Sequence, residues 1–199
     1  MPGNRRIQGK IISDDHPRKE ENLMSQEKTR KLVASGVLVA VIICLSGFYI
    51  PVGASKCFPI QHMVNVLAAV LLGPWWGVGI AFTASLIRNL MGTGTLLAFP
   101  GSMVGALLCG LVFSRWKKLF PTYIAEVFGT GVAGGILACP IAALLMGKDA
   151  ALFAFVLPFL VSTAGGTLIA AVLIGVLSRT HALSYMRNML DGGRAKQTA

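Results

Sequence analysis

The chain has 199 residues, of which 54% are hydrophobic and only 13% charged, and it carries a formal net charge of +10. Half of the charged residues fall within residues 1–31 and only eight lie between residues 32 and 178, too few to cover a soluble surface, so lipid is the expected solvent for the middle of the chain. The basic residues flank apolar runs without aromatic interleaving, which argues against a nucleic-acid interface and for topology signals.

Residues 1–27 are polar and read as a disordered N-terminal extension. Within them Met24 opens MSQEKTRKL directly before the apolar part and is the expected start. A cleavable signal is not expected, because a long polar stretch precedes the first apolar run and no A-x-A-like site follows it. Residues 28–180 then read as one transmembrane domain, and residues 181–199 as a basic cytoplasmic tail.

About twenty residues are needed to cross the hydrocarbon. Six segments meet or approach that length: 32–50, 59–73, 75–91, 100–113, 121–146 and 150–178. Pro51, Pro59, Pro74, Pro100 and Pro121 fall at segment edges, where proline suits a helix start or stop. Pro140 and Pro158 fall inside segments and are expected to kink them. The fold class is therefore an all-α integral membrane protein, a six-helix bundle.

With the N-terminus inside, the inner loops carry Lys28, Arg30, Lys31, Arg115, Lys117, Lys118, Arg179, Arg187, Arg194 and Lys196. The outer side carries Lys56, Lys148 and Arg88. This bias sets both ends in the cytoplasm and requires an even number of helices. Trp75, Trp76 and Trp116 then fall at inner interfaces.

Four cysteines lack metal or redox spacing. Cys44, Cys109 and Cys139 read as small core residues, Cys57 as a loop residue, and no disulfide is expected. Small residues recur at four-residue spacing, as in Gly101/Gly105/Cys109, Gly131/Gly135, Gly134/Ala138/Ala142 and Gly166/Ala170, and read as close internal packing. Gly36 and Ala40 on the otherwise Leu-Val-Ile first helix could instead dock another protein's helix.

Polar residues in lipid are costly and turn toward an interior or a cavity. The second helix opens FPIQHMVN. At about 100° per residue, Phe58, Gln61, His62 and Asn65 share roughly a third of its circumference. That face offers an aromatic ring, two amides and an imidazole, all expected in the outer half and in contact with a solute.

The third helix ends in Arg88 and Asn89 and runs into MGTGTLLAFP. Arg88 reads either as a ligand contact or as a snorkelling interfacial charge, and the loop carrying Thr93 and Thr95 as a lid. Phe99 is placed to stack on a planar ring. Ser162 and Thr163 are expected to bond back to their own helix, and Glu126 to sit at the inner interface or pair with a basic loop residue. No paired carboxylates, Ser/His/Asp set, metal motif or nucleotide-binding motif appears, so neither catalysis nor a cofactor is expected.

The runs IPVGASKCFPIQHMVNVLAAVLLGPW (50–75) and RNLMGTGTLLAFPGS (88–102) resemble the ThiW family, substrate-binding S components of energy-coupling factor (ECF) vitamin transporters. The resemblance covers roughly residues 28–180. It implies a multi-pass protein of the cell membrane with N-in/C-in S-component architecture. Such a protein would capture the thiazole precursor of thiamine, hydroxyethylthiazole, on the outer face and work with a T component and two ATPase subunits.

S components of this class carry an Ala-x-x-x-Ala motif on the first helix for docking the T component; here Gly36-x-x-x-Ala40 is the nearest match, with glycine at the first position. In the implied site Phe58 or Phe99 stacks on the thiazole, Gln61, His62 and Asn65 bond its nitrogen or hydroxyl, Asn89, Thr93 and Thr95 complete the substrate-binding set, and Arg88 supports the 93–99 loop or, for a phosphorylated thiazole, meets the phosphate. The alternatives are a solo secondary transporter coupled through His62, an S component for a different small vitamin precursor, a membrane enzyme, and a structural protein that binds no solute.

Overall fold

The computed structural model describes residues 5–52, 55–147 and 154–192, with the side chains of residues 5–20, 52–56 and 146 left undescribed. Lys148, Arg194 and Lys196, counted in the charge bias, lie outside these residues.

Proline and glycine set the centre of the bundle. Pro59 and Pro74 each open a helix at its first position, where proline's missing N–H costs nothing. Between them Leu72 and Gly73 both donate to the Ala68 carbonyl, and Gly73 takes φ +93°, a left-handed conformation that favours glycine. The result is a tight turn joining α2 (Pro59–Leu71) to α3 (Pro74–Leu90).

Before them come α1 (Arg5–Cys44) and a hairpin of β1 (Ile50–Val52) and β2 (Ser55–Cys57), with Ile50 opposite Cys57 and Val52 opposite Ser55. After them come α4 (Ala98–Trp116) and a long α5 over residues 119–146. The latter is built of α-helix Leu119–Glu126, π-helix Val127–Gly134 and α-helix Gly135–Met146. Then follow α6 (Val156–Arg179) and a short α7 (Ala182–Leu190).

α2 is the axis of the bundle. Every residue of it but Ile60 and Met63 is buried, and α1, α3, α4 and α6 pack around it. It has 13 residues, about 20 Å at ~1.5 Å per residue, shorter than the ~30 Å of hydrocarbon. Large apolar side chains point away from the bundle instead: Leu90, Leu144, Trp75 and Phe120 are each more than 70% exposed. In water such a surface would aggregate; in lipid it is the natural exterior.

α4 and α5 approach closely because their facing residues are small. A Cβ at Gly134 would press on the Gly101 backbone, and one at Gly105 would collide with the Thr130 side chain. These stripes are internal packing, as the spacing predicts. By contrast Gly36 and Ala40 lie exposed on α1, and a Cβ at Gly36 would meet nothing.

Among the described residues three helices qualify as spans by length and composition, Ala98–Trp116, Leu119–Leu145 and Val156–Arg179, with Pro59–Leu71 as a shorter apolar helix; the count of six stays an expectation. Other expectations need correction. The polar stretch 1–27 is helical from Arg5 onward; residues 18–31 are rich in helix formers, and Glu27 pairs with Lys31 at 2.7 Å.

α1 ends at Cys44 rather than Ile50, because the chain turns at 45–47 and pairs as a hairpin. Cys44 is therefore exposed and not core. Pro158 stands in the first turn of α6, where it disrupts no helical hydrogen bond, while Pro140 is truly interior.

The tail is not loose at its start either. α7 buries Leu183 and Leu190, and Arg187 Nε donates to the Val70 carbonyl at the end of α2 at 3.2 Å. Arg30 reaches the Met189 carbonyl at 2.9 Å, and Lys31 pairs with Asp191 at 3.3 Å.

Candidate functional site

The polar head of α2 meets the C-terminal end of α3 and the starts of α4 and α6 around a cavity of about 60 Å³. The corner between β2 and α2 is fastened to α6: the Cys57 thiol donates to the Pro158 carbonyl at 3.2 Å, and the Phe58 N–H donates to Ser162 Oγ at 2.8 Å. This places the Phe58 ring at the cavity and buries Cys57. Gln61 and His62 follow on the same face and line the cavity. Asn65 lies one turn deeper, fully buried, and donates to the Ser102 carbonyl at 3.2 Å.

Arg88 enters from the last turn of α3. It is 2% exposed, so it does not snorkel to an interface. Its guanidinium carbon sits 3.8 Å from the centroid of the Phe58 ring, and Nη1 donates to Gln61 Oε1 at 2.8 Å.

The following loop is held by the backbone of Arg88 and not by its charge. Thr93 and Gly94 N–H groups both donate to the Arg88 carbonyl at 2.9 Å, and Thr93 Oγ1 donates to it at 3.3 Å. Asn89 Nδ2 bridges the Ser85 and Thr95 carbonyls at 2.9 and 3.0 Å. Thr95 lines the cavity; Asn89 and Thr93 shape the loop without lining it.

Phe99 does not line the cavity, and its ring packs on Phe82 at 5.7 Å. Helical geometry explains the difference: Ala98, Gly101 and Ser102 share the inward face of α4, and residue 99 projects about 100° away from residue 98. The aromatic ring that α6 contributes instead is Phe159.

The largest departure from expectation is Glu126. It is fully buried, not interfacial, and pairs with no loop cation. Its Oε1 lies 3.1 Å from His62 Nδ1 and accepts from Asn65 Nδ2 and Thr130 Oγ1, each at 3.0 Å. The carboxyl group of Glu126 thus takes up the Nδ1 side of the imidazole. What His62 offers the cavity is Nε2.

Thr130 reaches both the cavity and the carboxylate from the π-helical part of α5, a local widening frequent at functional positions. Ser162 and Thr163 also depart from expectation. Ser162 caps Phe58, and Thr163 Oγ1 donates to the Glu126 carbonyl at 3.4 Å, so both tie helices together.

Among the described residues, five polar atoms of this cluster are buried without a protein partner: the donors Gln61 Nε2, Arg88 Nε and Arg88 Nη2, and the acceptors Asn65 Oδ1 and Glu126 Oε2. Each such group costs about 1–3 kcal/mol when left unmatched. The cluster is therefore a poor way to stabilise a bundle and a good way to recognise a polar solute. Among the described residues no group of His, Cys, Asp or Glu could hold a metal ion.

Neither a curated protein nor a solved structure matches the chain. One family does: the thiamine-precursor transporter protein (ThiW), over residues 32–180. The match spans most of the chain and includes every element that builds the cavity. The chain belongs to the ThiW family of thiamine-precursor transporters.

Proposed function

We propose that this membrane transporter is the substrate-binding S component of an ECF-type importer and that it captures hydroxyethylthiazole from the outer side. The observation that carries the reading is the convergence of Phe58, Gln61, His62 and Arg88 on one cavity, with donors on Gln61 and Arg88 left without protein acceptors. A small heteroaromatic alcohol matches this set. Its ring stacks against Phe58 or Phe159, its ring nitrogen accepts from Arg88 or Gln61, and its hydroxyl bonds His62.

The cavity of about 60 Å³ is smaller than the ~150 Å³ void that accepts benzene. Solute entry therefore requires side chains and the 91–97 loop to give way, with the Asn89–Thr95 bond as the clasp. The excess of Lys and Arg at the opposite end of the bundle supports six spans with both ends in the cytoplasm and the cavity facing out. The exposed Gly36/Ala40 face of α1 supports docking of a T component, and two ATPase subunits would supply the energy, since the sequence has no nucleotide motif.

Equilibrium binding of hydroxyethylthiazole and thiamine to the purified protein tests the assignment. Tight binding of the thiazole is expected; binding of thiamine alone, or of neither, overturns it. Docking is tested by a Gly36→Trp, Ala40→Trp variant, which should fail to co-purify with the T component. A second reading, a solo secondary transporter, draws on the buried His62–Glu126 pair as a proton-coupling couple. Uptake in cells that lack ECF partners would favour it.

A further inference from the structure

We infer that Glu126 is the specificity-determining carboxylate of the cavity, making it select an uncharged heteroaromatic alcohol and reject the phosphate ester of that alcohol. This rests on the reading of the cavity as the solute site.

The first argument is a charge balance. Among the described residues, Arg88 and Glu126 are the only charged side chains that are buried. Both belong to the same cluster, Arg88 through Gln61 and Phe58, Glu126 through His62, Asn65 and Thr130. Their charges cancel. Arg88 alone would make the cavity a phosphate site, since a guanidinium with Nε and Nη2 free suits a phosphate's oxygens. Glu126 removes that option. A phosphomonoester brings a charge of about −1.5 to −2 at neutral pH, and one cation already balanced by a carboxylate cannot offset it at low dielectric.

The second argument is the hydrogen-bond pattern. Glu126 Oε1 takes up Nδ1 of His62, so Nε2 is the ring nitrogen left to meet a hydroxyl. The cavity offers donors from Arg88 and Gln61 and this ring nitrogen. Its complement has one acceptor, the ring nitrogen, and one donor, the free hydroxyl. Esterification removes that hydroxyl proton. Specificity thus includes a repulsive element as well as attractive contacts.

Glu126 does not itself line the cavity. It acts through His62 and through its charge, as a positioning residue. A merely structural loss would weaken both ligands alike, so the readout is the ratio of affinities.

The experiment is titration of hydroxyethylthiazole and its phosphate ester into the purified full-length protein. Wild type is expected to prefer the alcohol at least tenfold. Parity, or preference for the ester, overturns the inference and leaves the solute site standing. Binding of neither ligand overturns the site itself.

Glu126→Gln should narrow that preference at least tenfold, with ester affinity rising, while Glu126→Asp keeps it. An unchanged ratio in Glu126→Gln overturns the inference. Arg88→Gln provides the opposite charge change and covers the case in which Glu126→Gln fails to fold. It should widen the preference for the alcohol; equal weakening of both ligands overturns the inference.

Discussion

The guanidinium of Arg88 sits over the ring of Phe58, 3.8 Å from its centroid, with the Gln61 amide oxygen closing its edge at 2.8 Å. The cation is thus fixed by an aromatic face and a neutral acceptor, leaving Nε and Nη2 to meet a solute. Arg88→Lys keeps the charge and loses the planar fork. It should weaken solute binding at least tenfold by calorimetry with little change in thermal stability. An affinity equal to wild type would show that the fork is not used.

The 91–97 loop hangs on few bonds, and the Asn89 side chain, itself braced on the Ser85 carbonyl, supplies the one to Thr95. Asn89→Ala should therefore speed solute exchange severalfold in stopped-flow measurements and leave the unfolding temperature nearly unchanged. A slower exchange would mean that the loop does not gate the cavity.

Gly105 lies where α4 crosses the π-helical part of α5. A methyl group there would strike the Thr130 side chain and come within 3.0 and 3.1 Å of the two Glu126 oxygens. Gly105→Ala should cost about 1–3 kcal/mol through overpacking and abolish solute binding. Gly79→Ala, where a Cβ meets nothing, serves as the control and should behave as wild type in thermal unfolding.

At the other end, Arg187 donates to the last turn of α2 and sits 5.2 Å from the centroid of the Phe113 ring. Arg187→Ala should lower the unfolding temperature by a few degrees through the lost carbonyl partner, with solute affinity within twofold of wild type. A large loss of affinity would show that the two ends of α2 are coupled.

Orientation can be read chemically. In a cysteine-free background, Thr93→Cys should react with a membrane-impermeant maleimide in intact cells, whereas Lys117→Cys should react only after lysis. The reverse pattern would invert the proposed topology.

The amino-acid pattern revealed some of this cluster and hid the rest. Asn65 stands three residues from His62 and four from Gln61 on one short helix, so a single period places them on one face without knowledge of neighbours. Glu126 was misjudged because its proximity to Pro121 and to the basic 115–118 loop made an interface plausible. Yet Thr122, Glu126 and Thr130 form a polar stripe at four-residue spacing in an otherwise apolar segment, and that stripe was the available signal.

Phe99 falls outside the cavity lining because its face depends on where α4 begins, and the helix starts two residues before Pro100. The π-helical widening, which brings Thr130 to the cavity, packs closely against Gly101, Gly105 and Leu160, contacts that lie far away in the chain. Ser162 bonds a backbone 104 residues away, a relationship no periodicity contains.

The brevity of α2 carries a last consequence. Its polar groups end at Asn65, and the next residues, Val66 to Leu72, are apolar and tightly enclosed. Among the described residues, a solute at the proposed site would face this apolar plug, and α2 carries no polar side chain through it. Under the proposed import role, cargo cannot trickle down the axis as in a pore. The recess must change sides as a unit, carrying its contents past the dielectric boundary.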